Sequence, residues 1–273
     1  MAMLVTNDAF ARTWGRRAGP PPESDYWPVI INAVRATHPH FGFIAESYWD
    51  TEAALHAQGF DLCYDKRLCD ELVAGTADGV RALLEAHPGY QERLVRFIEN
   101  HDEARAATVF PSGRARAAAV VMSTVEGARL YHDGQLEGAR VQVPVFLDRR
   151  PKEASDAELR AFYAKLIRAL GDAQLRDGIW QLCDGDAPEQ PTLLAWTWTM
   201  NDRRRIIVVN FGDAPAHGRV RLPWDDLAGR TWRLEDALDG SCFERDGGAL
   251  AREGLQVELT GWGTRLLVLQ PRS

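Results

Sequence analysis

The stretch "LVRFIENHDEAR", residues 94–105, joins an apolar run of strand length to a dense group of polar side chains. The polar residues that follow the run are Asn100, His101, Asp102, Glu103 and Arg105. Such groups at the end of a buried strand are costly unless they are partnered, so the cluster is either a satisfied ion network or a site that handles a polar ligand. The rest of the chain decides between these interpretations.

The first part of the chain, residues 1–175, alternates strand-like runs with helical segments. The strand-like runs are "FGFIAE" (41–46), "LVRFIEN" (94–100) and "ARLYHDGQ" (128–135). The helical segments are "DKRLCDELV" (65–73), "DGVRALLEAHPG" (78–89), "GRARAAAVVMSTVEG" (113–127) and "SDAELRAFYAKLIRALG" (155–171). Strands separated by helices predict parallel pairing, and therefore an α/β fold. In the last segment Ser155 and Glu158 predict a capping box, and Gly171 predicts the helix end.

The second part, residues 176–273, changes to a pattern of short strands. Segments such as "LLAWTWTM" (193–200) and "RRRIIVVNFG" (203–212) are rich in β-branched and aromatic residues and are separated by turn-forming residues. Asn201-Asp202, Asp239-Gly240 and Gly247-Gly248 predict turns. This part is therefore expected to be an all-β antiparallel domain, a sandwich.

Composition restricts the possible partners. The 273 residues are 45% hydrophobic, which is ample material for a core, and 32 Lys and Arg against 39 Asp and Glu give a net charge of −7 without a basic stripe. No nucleic-acid partner is expected. No uninterrupted stretch of about 18 apolar residues predicts a membrane span, and no export signal is recognised, so a cytoplasmic location is predicted. The four cysteines are Cys63, Cys69, Cys183 and Cys242. Because they lack CxxC spacing, neither disulfides nor a cysteine metal site is predicted.

Two carboxylates follow predicted parallel strands. Glu46 ends "FGFIAE", and Asp102 comes shortly after "LVRFIEN". Because loops converge at the carboxyl ends of parallel strands, both are expected on the same face. Two convergent carboxylates suit proton transfer to a leaving oxygen and support of a cationic transition state, as glycosidic bond cleavage requires. Tyr48 and Trp49 offer flat faces on which a sugar ring can stack. The constellation indicates a carbohydrate ligand.

Structural interpretations of the same residues stay open at this point. Glu46 at a strand end can be a paired structural acid, and Tyr48 and Trp49 can simply cover the core. Asp102 and Arg105 are three residues apart and can form an ion pair on one helix face. A metal site at His38, His40 and His101 is not favoured, because "HPH" places its two histidines around a proline and no third well-spaced ligand follows. No cofactor or metal is predicted.

The ordered motifs "FIAESYW" (43–49), "RFIENHDEAR" (96–105) and "GARLYHDGQLEG" (127–138) resemble those of the α-amylase superfamily of glycoside hydrolases. In that family one barrel strand ends in the catalytic Glu and a later strand ends in an Asn-His-Asp triplet. The resemblance implies that Glu46 is the general acid/base and that Asp102 stabilises the oxocarbenium-like transition state. It also implies that His101 donates a hydrogen bond to the same sugar and that Trp49 is a neighbouring stacking residue. Ala104 stands where relatives often have Pro.

The resemblance also implies that the catalytic nucleophile lies outside this sequence. The family's mechanism is retaining and needs a nucleophilic carboxylate about 5 to 5.5 Å from the acid/base. In relatives this nucleophile precedes a Met-Ala pair at the end of the fourth barrel strand. Met1 of this chain aligns with the residue directly after the nucleophile. Asp50, Asp61 and Asp65 do not occupy that position, so no nucleophile is predicted in this chain. The expected fold is a partial (β/α)8 TIM barrel, with about four C-terminal β/α units in 1–175, followed by the β-sandwich domain in 176–273.

The predicted function is that of a retaining glycoside hydrolase of the α-amylase family. The predicted partner is an α-glucan or a small α-glucoside, together with a missing N-terminal half of the barrel. A half barrel leaves unpaired strand edges, so the chain by itself is expected to seek a partner and not to hydrolyse glycosides. Two alternatives remain: a transglycosidase of the same family, and a catalytically inactive carbohydrate-binding protein or truncated gene product.

Overall fold

The computed structural model describes residues 14–20, 23–48, 50–85, 88–147, 149, 151–171, 173–183 and 191–272. The chain forms two compact units. The first unit comprises Met1–Asp70, His87–Phe97 and Gly127–Leu130, and the second comprises Glu71–Ala86, Ile98–Glu126 and Tyr131–Ser273. These units do not coincide with the segments 1–175 and 176–273, and that division stays a prediction. None of the helices in the described ranges has the length and apolar character needed to cross a membrane.

Helices and strands alternate in the first part of the chain, and strands predominate in the second. The helices, after a short 3-10 helix at Gly15–Ala18, are α1 (Tyr26–Thr37), α2 (Glu52–Ala57), α3 (Lys66–Ala74), α4 (Ala77–Leu84), α5 (Pro88–Gln91), α6 (Ala106–Val109), α7 (Ser112–Thr124), α8 (Ala157–Leu170), α9 (Gln174–Asp177) and α10 (Gly247–Glu253). The strands are β1 (Ile44–Ala45), β2 (Leu62–Tyr64), β3 (Leu94–Arg96), β4 (Ala128–Arg129), β5 (Ile179–Leu182), β6 (Leu193–Met200), β7 (Arg203–Asn210), β8 (Ala216–Val220), β9 (Thr231–Asp236), β10 (Cys242–Asp246), β11 (Leu255–Leu259) and β12 (Thr264–Pro271).

The first unit contains a four-stranded sheet in the order β1-β2-β3-β4. Each neighbouring pair is parallel, so the predicted parallel pairing is confirmed. The strands are only two or three residues long. Strands β1, β3 and β4 are shorter than the runs that predicted them, because each run continues into the loop that leaves the sheet. A hydrophobic cluster in this unit joins α1, α2, β1 and β2 through Ile31, Ala45, Leu55, Phe60 and Cys63.

A buried ion pair fixes the middle of this sheet. Arg96 on β3 is 1% exposed and contacts the carboxylate of Asp65, which is 6% exposed and lies between β2 and α3. Arg96 also donates to the side-chain oxygen of Gln91. The other carboxylate oxygen of Asp65 accepts the backbone N–H of Leu68 at 3.0 Å and so holds the first turn of α3. Both charges are thus partnered inside the unit, as burial of charge requires.

The second unit is built on antiparallel sheets. A six-stranded sheet runs in the order β10-β9-β12-β7-β6-β5, and β8 pairs with β11 in a second sheet. The predicted antiparallel pairing is therefore confirmed. Residues of both sheets share one core, as in sheet-on-sheet packing. Its members include Ile206, Val208, Val220, Leu234, Leu255, Val257 and Leu267.

Two local features differ from the sequence predictions. Asp156, not Ser155, caps α8: its side chain accepts the N–H of Leu159 at 2.9 Å. Gly247 was expected in a turn but begins α10, which Asp246 caps. A β-carbon at Gly247 would overlap the carbonyl oxygen of Leu227, so the glycine is required for close approach of two backbones, and not for a turn.

Helix α7 is tied to the six-stranded sheet by its last carbonyl. Trp196 and Trp198, on β6, both donate their indole N–H to the carbonyl oxygen of Thr124, at 3.0 and 2.7 Å. The last carbonyls of a helix have no partner within the helix. The two buried indoles supply that partner while packing their rings in the core.

Candidate active site

Glu46 lies in the first unit, directly after β1, and is half-buried. Ser47 is fully buried and its hydroxyl donates to the carbonyl of Tyr64 at the end of β2, at 2.9 Å. This bond fixes the backbone at the carboxyl end of β1 and so limits where Glu46 can point. Trp49, predicted as a stacking residue, lies outside the described residues.

Asn100 organises the turn that carries His101 and Asp102, which belong to the second unit. Its side chain is 1% exposed, and its Oδ1 accepts the backbone N–H groups of both Asp102 and Glu103 at 2.9 Å. An Asn side chain that binds the backbone two residues on forms an Asx-turn, which fixes the loop locally. The chain is thereby bent immediately after the strand-like run that predicted this site.

His101 and Asp102 lie on the outside of this turn. Their side chains are 41% and 48% exposed, and His101 Nε2 lies 3.5 Å from Asp102 Oδ1. The carbonyl of Asp102 accepts a hydrogen bond from Gln142 Nε2 at 2.9 Å. The backbone is therefore held while a carboxylate and an imidazole remain accessible. Such a pair can accept and donate hydrogen bonds to neighbouring hydroxyl groups.

Behind the turn, Glu99 and Arg105 form a buried ion pair. Arg105 Nη2 lies 3.0 Å from Glu99 Oε1, and both side chains are 5% exposed or less. Glu99 Oε2 accepts the N–H of Ala106 at 2.6 Å, at the start of α6. Arg105 also donates to the carbonyl of Asp133 at 2.9 Å and to Nδ1 of His132 at 2.8 Å. The cluster braces the turn from inside the second unit.

Two groups in this network have shifted pKa values. Burial raises the pKa of Glu99 from 4.5 to about 7, more than the Ala106 N–H and Arg105 lower it. Burial, and next the charge of Arg105, lower the pKa of His132. A neutral His132 with its proton on Nε2 can accept the Arg105 hydrogen bond at Nδ1. The positive charge of this network therefore lies on Arg105.

The shift of Glu99 predicts a pH dependence of stability. A carboxyl group whose pKa is raised in the folded state stabilises the fold fully below pH 4.5 and loses that contribution as the pH rises through about 7. Relative to Glu99→Gln, the wild type is expected to lose about 3 kcal/mol of unfolding free energy between pH 4.5 and 7. Urea unfolding at several pH values measures this difference. Parallel pH profiles for the two proteins would contradict the expectation.

Arg105 and Glu99 answer one of the questions that the sequence left open. Arg105 pairs with Glu99 and not with Asp102, so the ion-pair interpretation of Asp102 and Arg105 is wrong. Glu99 was not among the site residues predicted from the sequence. The signal was present, since a glutamate within the apolar run "RFIEN" needs a buried partner, and Arg105 is the nearest downstream cation.

Comparisons with known proteins give one sequence match and a shared fold. No protein-family model matches the chain. The α-amylase MalA of Haloarcula japonica is 28% identical over 185 residues, which cover 64% of this chain and 26% of that protein. An Anoxybacillus α-amylase matches with a TM-score of 0.71 at 17% identity, over 90% of this chain and 56% of that one. The Geobacillus thermoleovorans α-amylase solved with acarbose also has a TM-score of 0.71 at 17% identity, with coverages of 90% and 57%.

The matches cover most of this chain but only part of each relative. The chain spans about a quarter of the length of the curated relative and somewhat over half of the solved structures. The structural matches show the shared fold. The chain is therefore similar in sequence to part of one α-amylase and in fold to part of others.

Proposed function

We propose that this chain supplies part of the active site of a retaining α-amylase-type glycoside hydrolase that acts on α-glucosidic bonds. The observation that carries the proposal is the Asn100-held turn, which presents His101 and Asp102 after β3 in the order that the family motifs require. In this proposal the four parallel strands are the C-terminal half of a (β/α)8 barrel, residues 1–175, and the antiparallel sheets form the domain at 176–273.

Each proposed residue has a chemical role. Glu46 is the general acid that protonates the leaving oxygen and later the base that activates water. Asp102 binds sugar hydroxyls and stabilises positive charge that develops on the ring. His101 donates a hydrogen bond to the same sugar, and Trp49 stacks beside it. The nucleophile that a retaining mechanism needs is assigned to a polypeptide segment outside this sequence, as is the other half of the barrel.

The proposed ligand is an α-glucan or a small α-glucoside. The Geobacillus relative was solved with acarbose, and we extend that class of ligand to this chain because His101 and Asp102 are accessible and hydrogen-bonding. The second candidate function is carbohydrate binding without turnover. Binding without turnover is favoured by the motif comparison, which assigns no nucleophile to this chain. A transglycosidase of the same family differs from a hydrolase only in the acceptor. A cytoplasmic location stays a prediction.

Binding of maltoheptaose to the 273-residue chain tests the proposal. Calorimetric titration is expected to show binding to the wild type and a dissociation constant about tenfold higher for Asp102→Asn, since a hydrogen bond to a charged acceptor contributes about 1.4 kcal/mol more than one to a neutral acceptor. Asp202→Asn, an exposed change in the turn between β6 and β7, is the matched control and is expected to bind as the wild type does.

Parallel assays separate the candidate functions. Release of reducing sugar, measured on the same samples, distinguishes turnover from binding alone, and transfer products distinguish a transglycosidase. If the wild type binds no maltooligosaccharide, or if Asp102→Asn and Asp202→Asn bind equally well, the assignment of Asp102 to a sugar site is wrong.

A further inference from the structure

An apolar loop of the second unit lies beside the His101–Asp102 turn. The apolar loop, defined as residues 141–147, is held at its start by Glu153, whose carboxylate accepts the N–H groups of Arg140 at 2.7 Å and Val141 at 3.2 Å. Gln142 ties it to the carbonyl of Asp102 at 2.9 Å. The N–H of Leu147 closes its far end on Pro144 at 2.9 Å. The loop is thus built against the turn by specific bonds.

The tip of this loop exposes large apolar side chains. Val145 is 68% exposed, Phe146 is 83% exposed and Leu147 is 54% exposed. Single exposed apolar residues are ordinary, but three in succession form a patch, which usually marks an interaction site. A fixed backbone that presents Phe146 outward gives a flat aromatic surface that loses little side-chain freedom on binding.

The patch and the polar turn line the same open cleft. Its volume is about 380 Å³, and the residues that line it include His101, Asp102, Gln142, Val143, Val145 and Phe146. A pyranose ring has apolar C–H faces and a rim of hydroxyls. Aromatic or aliphatic contact on the face, with a carboxylate and an imidazole at the rim, is therefore a complementary environment. A patch that binds only apolar side chains of another protein would not need the carboxylate and the imidazole that line this cleft.

We propose that this cleft is a sugar subsite, in which Phe146 stacks on a glucosyl unit next to the one that contacts His101 and Asp102. The inference rests on the proposed function and deepens it. It makes Phe146 a specificity residue for chain length, because a ligand must extend past the His101–Asp102 turn to reach the ring. A single glucose fills the turn alone, and α-glucans of two or more units gain the additional contact.

Titrations with glucose, maltotriose and maltoheptaose test this subsite. Phe146→Ala is expected to raise the dissociation constant for maltoheptaose about tenfold while changing that for glucose less than about twofold. Phe146→Tyr keeps the ring and is expected to bind like the wild type. Ile179→Ala on β5 is the matched control, since Ile179 is also strongly exposed, at 74%, and lines no part of this cleft.

The outcomes separate this inference from the function on which it rests. If the wild type binds no maltooligosaccharide, both fail together. If the wild type binds them and Phe146→Ala binds all three as well as the wild type does, the subsite alone is overturned. If Phe146→Ala abolishes self-association in sedimentation analysis without altering saccharide binding, the patch is an interface between copies of the chain and the subsite is likewise overturned.

Discussion

Arg96→Met is expected to lower the free energy of unfolding by about 3 to 5 kcal/mol, because it leaves the buried Asp65 carboxylate without its charge partner. Arg96 is 1% exposed and Asp65 is 6% exposed, so water cannot replace the lost contact without opening the unit. Methionine keeps much of the aliphatic volume of arginine, so the loss measures charge more than packing. Urea unfolding, followed by circular dichroism, gives the value.

A second variant tests this explanation. Asp65→Asn removes the carboxylate charge but keeps an oxygen that can accept the Leu68 N–H at the start of α3. Arg96→Met combined with Asp65→Asn is therefore expected to recover at least half of the lost stability, as a coupled pair does in a double-mutant cycle. If the two losses simply add, the stability comes from packing around Arg96, and the ion-pair explanation is wrong.

Glu46→Gln is expected to lower kcat for α-glucan hydrolysis by about a thousandfold, within the range that a general acid/base contributes. The expectation rests on the proposed function. The assay therefore uses the protein in the form that is made in its native source. Glutamine preserves the size of the side chain and its hydrogen bonding but cannot exchange a proton. The control is Glu92→Gln, an exposed carboxylate of the same unit, which is expected to keep wild-type activity.

The identity of the leaving group gives a sharper readout. Fluoride departs without protonation, so Glu46→Gln is expected to lose far less activity on an α-maltosyl fluoride, particularly with azide present to replace the water that lacks its base. A variant that merely disturbs the fold loses activity on both substrates equally. If Glu46→Gln retains more than a tenth of the wild-type rate on α-glucan, Glu46 is not the acid/base.

Periodicity and composition predicted the elements well where local and long-range preferences agree. The run of β-branched and aromatic residues at 193–212 gave β6 and β7, and Asn201 adopts the positive φ of 54° that its predicted turn requires. Strand β10 and helix α10 were not predicted. The segment "CFERD" has only one large apolar residue, and the Gly247 backbone is selected by its approach to Leu227, a contact that sequence spacing does not reveal.

The sequence predicted those site residues whose position follows directly from the strand that precedes them. The exposed His101 and Asp102 lie beside each other at a strand exit, as their order after an apolar run indicated. The supporting residues were harder to foresee: Asn100 acts through its own turn, whereas Glu99 requires Arg105 and His132, the latter 33 positions further along. Partners that meet only through tertiary packing leave no local pattern, so the raised pKa of Glu99 could not be inferred from the sequence.

The carbonyl of Thr124 has a consequence for the order of events during synthesis. Its two indole donors lie 72 and 74 positions later in the chain. At about 5 to 20 residues per second, roughly 4 to 14 s pass on the ribosome before the first donor is made. During that interval α7 can form, but its end remains hydrated and its apolar surface uncovered. Completion of the second unit therefore requires translation of β6, because that strand supplies both donors to the end of α7.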